Sequence, residues 1–202
     1  MHNIPRSAGL GLLGYGVGTA VAFMGSGAPG GGYDDTGVAR YIAGSHAAAG
    51  FTLWYVGALS ALGLVVFGTG LRHLGDGLRS LAIAATATSV VGAFVSGGVV
   101  VAMAEGGTAV RTGVPHPVVY TLTEIGNLLA VCAPALFIGV VAIVLAFRAQ
   151  LPGWLRGFCV IAGVCGIAAP FFFTYFVYLL WTVVAGATLA INRTKAPAPA
   201  LV

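Results

Sequence analysis

Charged side chains are almost missing from this chain. Only 7% of its 202 residues are Asp, Glu, Lys or Arg, and lysine occurs once, at Lys195, whereas soluble domains carry roughly a quarter. With 58% hydrophobic residues and a mean hydropathy of +0.99, a water-soluble fold would have to hide its apolar surface in one small core, whereas lipid solvates the outside of a helical bundle directly. The formal charge of +4 comes from isolated basic residues with no patch or stripe among them, which excludes nucleic acid as a partner. Cysteine is scarce: Cys132, Cys159 and Cys165 all fall inside apolar runs, with no CxxC pair. That placement predicts small packing residues and speaks against a disulfide framework, thiol redox or a quinone-linked disulfide enzyme. Motifs of nucleotide and acyl chemistry are missing too, since no glycine cluster is followed by GK[ST], and neither GxSxG nor HExxH occurs.

What the chain does have is long apolar runs. One crossing of a bilayer core takes about 20 apolar residues as a helix. By that measure the sequence predicts an all-α, polytopic transmembrane bundle of about six spans, near residues 7–26, 47–70, 80–103, 117–147, 154–169 and 171–191. The fourth run exceeds one crossing, so its outer end is expected to project. Residues 154–191 carry no charge, and as one helix they would reach about 57 Å, nearly two bilayer cores. They are therefore divided near Gly166 to Pro170, where proline breaks the helix and glycine permits the turn; a single Pro-kinked helix is the alternative. The Ala and Pro alternation after Lys195 reads as a disordered cytoplasmic tail over 196–202. Arg6 before an apolar run imitates a secretory signal, but the run is long for one and reads as a retained first span.

Orientation follows from arginine and lysine. With both ends in the cytoplasm, Arg6, Arg72, Arg79, Arg148, Arg156, Arg193 and Lys195 lie inside and Arg40 and Arg111 outside, a bias of seven to two. This is the pattern of a multi-pass plasma-membrane protein. Trp154 then marks the inner interface, and Tyr33, Tyr41 and Trp54 the outer one.

Glycine is abundant at 32 residues, and membrane helices associate through close backbone approach at small residues. Ala82, Ala85, Ser89, Gly92 and Ser96 recur at steps of three and four, predicting a face of the third span buried against another helix. Gly11, Gly14, Gly16 and Gly18 define no single stripe.

Four of the five acidic residues, Asp34, Asp35, Glu105 and Glu124, fall on the outer side with His46 and His116. Glu124 is the only acid within a predicted span, where a carboxylate is costly and ordinarily faces protein or water. Tyr120 and Asn127 share its helical face, and Pro134 follows with the means to kink the helix. These residues form the candidate ligand site: Glu124, Asn127 and Tyr120, with His46 and His116 as further walls. His46, His116, Glu105 and Glu124 are the candidate ligands should a metal bind, and bis-histidine haem ligation would need both rings to converge. No particular metal or cofactor follows from the spacing. The simpler readings are a hydrated Glu124 bonded to Asn127, a solvated His46, and a turn residue at His116 between two prolines.

At LPGWLR (Leu151 to Arg156), LLW (Leu179 to Trp181) and INR (Ile191 to Arg193), with a looser echo in LRHLGDGLRS, the chain resembles uncharacterised multi-helix membrane proteins of actinobacteria that share a domain of unknown function. No catalytic residue comes with that resemblance; eight arginines against one lysine agree with a bacterial source of high GC content. Two function classes stay open. One is a binding, transport-related or accessory protein with an outward polar pocket, whose partners are membrane lipids, other membrane subunits or a second copy. The other is a membrane enzyme using Glu124 and the outer histidines in metal-assisted or acid–base chemistry.

The charge bias makes a direct prediction. A reporter fused after Lys195 is expected to read as cytoplasmic, and an external signal there would remove one crossing from the last apolar run.

Overall fold

The computed structural model of the chain describes residues 4–29, 32, 34–171 and 173–191. Tyr33, Arg193, Lys195 and the 196–202 tail lie outside the described residues, among which no β-strand occurs. Helix α1 spans Arg6–Gly25 behind Pro5. The short α2, Thr36–Ala43, opens on Asp35, whose carboxylate accepts the Gly37 N–H at 2.7 Å and so satisfies a donor that the first turn leaves unpaired. Helix α3 runs from Ala47 to Gly70 with a wide π turn at Thr52–Val56. There Thr52 Oγ1 donates back to the Ala48 carbonyl at 2.9 Å, a contact that loosens the backbone ladder. Gly75, at φ +144°, a value only glycine takes without strain, turns the chain into α4, Asp76–Glu105.

Two of the connections hold more helix than the sequence suggests. Helix α2 stands inside the first, and the second, expected as a loop, contains α5, Gly107–Gly113. Helix α6, His116–Arg148, is 33 residues long and carries a second π turn at Leu128–Cys132. The run 154–191 forms two helices, α7 at Gly153–Ile167 and α8 at Phe173–Ile191, with a turn at 168–171. Thr174 Oγ1 closes that turn by donating to the Ala168 carbonyl at 2.6 Å. Among the described residues five helices, α1, α3, α4, α6 and α8, are long and apolar enough to cross a membrane. Helix α7 is apolar, but its 15 residues reach only about 22 Å.

These helices close into a ring. Helix α1 packs on α3 and α8, α3 on α4, α4 on α6, α6 on α7, and α7 returns to α8. Trp181 Nε1–H donates to Cys159 Sγ at 3.3 Å, and Gly166 abuts the Tyr178 ring, so α7 and α8 run antiparallel. Inside lies a continuous core including Leu12, Tyr15, Leu64, Phe67, Ile138, Tyr178 and Trp181. Outside, Leu10, Val17, Leu59, Leu62, Ile83, Val91, Ile161 and Leu180 are exposed, an apolar girdle that water would disfavour and hydrocarbon accepts. The pairing of helix ends gathers Arg6, Arg72, Arg79, Arg148 and Arg156 at one end of the ring and Arg40, Arg111, His46, His116 and Glu105 at the other.

Close approach at small residues sets the spacing. Gly9 and Gly16 lie against α8, at Ala190 and Thr182, whereas Gly11 and Gly18 lie against α3, at Gly63 and Ser60. Two interleaved stripes, each seven residues in repeat, explain why the glycines of α1 define no single face. On α4, Ala82, Ala85, Ser89, Gly92 and Ser96 are all buried; Gly92 seats on the backbone of Gly126 and Ala130 of α6, and Gly126 on Ser96. A methyl group at position 92 would meet the Ala130 backbone, whereas one at Gly98 on the same helix meets nothing within 4 Å.

Gly92→Ala is therefore expected to lower thermal stability in detergent, by about 1–3 kcal/mol for overpacking against backbone, while Gly98→Ala leaves it unchanged or raises it. Equal melting temperatures for the two variants would show that the α4–α6 contact does not limit stability.

Candidate functional site

A cavity of about 550 Å³ opens in the half of the ring that bears His46 and His116. Its walls come from α1, α3, α4 and α6, its roof from α2 and the Ala28–Pro29 segment, and its far side from the α7–α8 turn. Most of the lining is apolar, as in small-molecule sites generally. Among the described residues no Arg or Lys lines it, and Glu124 is the one acidic side chain in its wall.

Both π turns border this cavity, through Leu53 on α3 and through Leu128, Ala130, Val131 and Cys132 on α6. The second has a covalent cause. Pro134 has no N–H to give the carbonyl four residues back, and its ring presses on that turn. The carbonyl so released belongs to Ala130, and Ser89 Oγ of α4 donates to it at 3.3 Å. Widened turns of this kind recur at functional sites.

Four of the sequence-derived candidates, Tyr120, Glu124, Asn127 and His46, line the cavity together. Glu124 is exposed at the rim, where Asn127 Nδ2 donates to its Oε1 at 3.3 Å. His116 and Glu105 are not among the lining residues, and no group of three or more His, Cys, Asp or Glu able to hold a metal occurs among the described residues. The two histidines share a different task. Each stands where a long helix begins, and Nε2 of His46 bonds the Tyr41 carbonyl at 2.9 Å while Nε2 of His116 bonds the Arg111 carbonyl at 3.3 Å. A carbonyl only accepts, so both rings carry their proton on Nε2. Each ring thus fastens a short connecting helix, α2 or α5, to the long helix after it.

Sequence reasoning missed how firmly α2 is held. Tyr41 stacks on His46 with ring centroids 3.9 Å apart and planes 7° from parallel, and its hydroxyl donates to the Ser26 carbonyl at 2.8 Å. Burial pushes the Tyr41 phenol above its ordinary pKa, so the hydroxyl keeps its proton and remains a donor. With Val38 buried beneath it, α2 covers the cavity.

The far side holds a second feature that no sequence signal announced. Tyr175 of α8 lines the cavity, is 2% exposed, and its hydroxyl has no hydrogen-bond partner. Deeper in the ring the Tyr15 and Tyr178 hydroxyls approach one another, with Thr19 near the first, yet neither phenol reaches hydrogen-bonding geometry. Thr19 and Ser60 pair with each other at 3.4 Å. A buried hydroxyl without a partner costs about 1–3 kcal/mol.

No protein-family model, curated protein or solved structure matches this chain.

Removing the Tyr41 hydroxyl should loosen the roof. In Tyr41→Phe, loss of the bond to Ser26 is worth about 1 kcal/mol, so the amides of 36–43 are expected to exchange with deuterium about fivefold faster. Unchanged protection would mean that Val38 and the ring stack hold α2 without that bond.

Proposed function

We propose that this chain is a non-enzymatic small-molecule binding protein of a bacterial plasma membrane, transport-related or accessory to a larger assembly, whose site opens toward the outside. The reading takes six crossings with both termini in the cytoplasm, α7 and α8 forming the short final hairpin. The arginine-rich end of the ring then faces inward, and the cavity lies in the outer half. The observation that carries the reading is the shared placement of Tyr120, Glu124, Asn127 and His46 around one largely apolar cavity. A concave apolar space with a few convergent polar groups is the usual form of a ligand site. An enzyme would in addition need a nucleophile with a base, or a set of metal ligands, brought within reach of one reacting atom. The polar residues of this rim are suited to orienting a guest.

Photolabelling with adamantyl diazirine, a small lipid-soluble probe, tests the reading. Adducts are expected at cavity-facing positions such as Ala93 and Val100. Thr123→Trp, which places an indole at the half-buried rim, should reduce them at least about fivefold while leaving adducts on the outer apolar girdle unchanged. Labelling confined to the outer girdle would overturn the proposal.

A further inference from the structure

The chemical class of the guest can be read from the far side of the cavity. We infer that the site takes an uncharged, lipid-soluble molecule bearing a carbonyl or hydroxyl oxygen, and that this oxygen accepts a hydrogen bond from Tyr175. The inference rests on the proposed binding function and adds the identity of the guest.

Three observations converge on it. Tyr175 contributes to the wall, yet its hydroxyl is buried and lacks a partner. In a site shielded from water such a hydroxyl gains most from an acceptor delivered by a ligand. Its polar neighbours, Tyr15, Tyr178 and Cys132, form no hydrogen bond with it, so the phenol reaches no acceptor within the fold. Second, charge selects against anions. Among the described residues the lining has neither Arg nor Lys, and Glu124 stands at the rim, so a carboxylate or phosphate would enter past an acidic side chain and find no counter-ion. Third, the rest of the lining includes Ala93, Val100, Val119, Leu128 and Val131, which suits a hydrocarbon body. The polar requirement is thus concentrated at one buried point, with Asn127 and Tyr120 at the mouth for any second oxygen.

Competition against the diazirine probe separates this inference from the reading beneath it. Decane, 2-decanone, 1-decanol and decanoate are compared at equal mole fraction in the detergent micelle, with adducts counted at Ala93 and Val100. The ketone and the alcohol are expected to protect those positions at about five- to tenfold lower concentration than decane, the advantage of one hydrogen bond, and decanoate is expected to protect least. Tyr175→Phe should reduce the ketone's advantage over decane to less than about twofold. Tyr178→Phe removes an equally buried phenol outside the lining and should preserve that advantage. If labelling occurs in the cavity but wild-type protein is protected equally by decane and 2-decanone, the oxygen-acceptor inference fails and the binding reading stands. It fails in the same way if Tyr175→Phe keeps the ketone's advantage, or if decanoate protects best. Absence of cavity labelling overturns the binding reading, and this inference with it.

Discussion

Everything in this molecule depends on helices approaching one another backbone to backbone. In hydrocarbon no water is expelled when two apolar helices meet, so association rests on dispersion between closely fitted surfaces. Small residues provide the fit. Gly11 and Gly63 each leave room for the other's carbonyl, Gly139 and Gly163 do the same between α6 and α7, and Gly92 admits the backbone of Ala130. Helix α1 shows the principle most fully, since its two glycine stripes hold α3 on one side and α8 on the other. That double seat lets the ring close.

The same constraint explains why a cavity exists and where. Away from the arginine-rich end two departures widen the helices, the π turns at Thr52–Val56 and Leu128–Cys132. On α6 the departure follows from Pro134, and the structure compensates locally, because Ser89 donates to the carbonyl that the proline leaves free. The serine that allows α4 to lie close against α6 is thus also the residue that makes the widened turn tolerable in a low-dielectric interior. Packing and cavity come from a single contact.

Polar groups are distributed around that space by depth. Glu124 and Asn127 meet at the exposed rim, whereas Tyr175 on the far side is buried. That gradient is the basis of the proposed guest, with an apolar body and a neutral oxygen acceptor at the inner end. The histidines belong to the frame of the site: each fastens a short helix at the mouth through Nε2. His46 also stacks on Tyr41 within the roof.

By itself the sequence determined the class of the protein, because hydropathy and charge scarcity act through composition and need no knowledge of neighbours. It also determined the break in 154–191, through Pro170 and an excess of length, and the buried face of α4, whose small residues repeat with the period of one helix. It placed Glu124, Tyr120 and Asn127 together for the same reason, since residues three and four apart share a side of α6. Only the tertiary structure decided which helices are neighbours, and hence that His46 joins that rim while His116 and Glu105 do not line it. The glycines of α1 were unreadable because two stripes for two partners overlap in one segment, and α2 and α5 were too short for any periodic signal. Tyr175 looked like one aromatic among many in an apolar helix. That this residue borders a cavity while its hydroxyl goes unpaired depends on α1, α6 and the α7–α8 turn meeting around it, a relation between distant segments that no local pattern encodes.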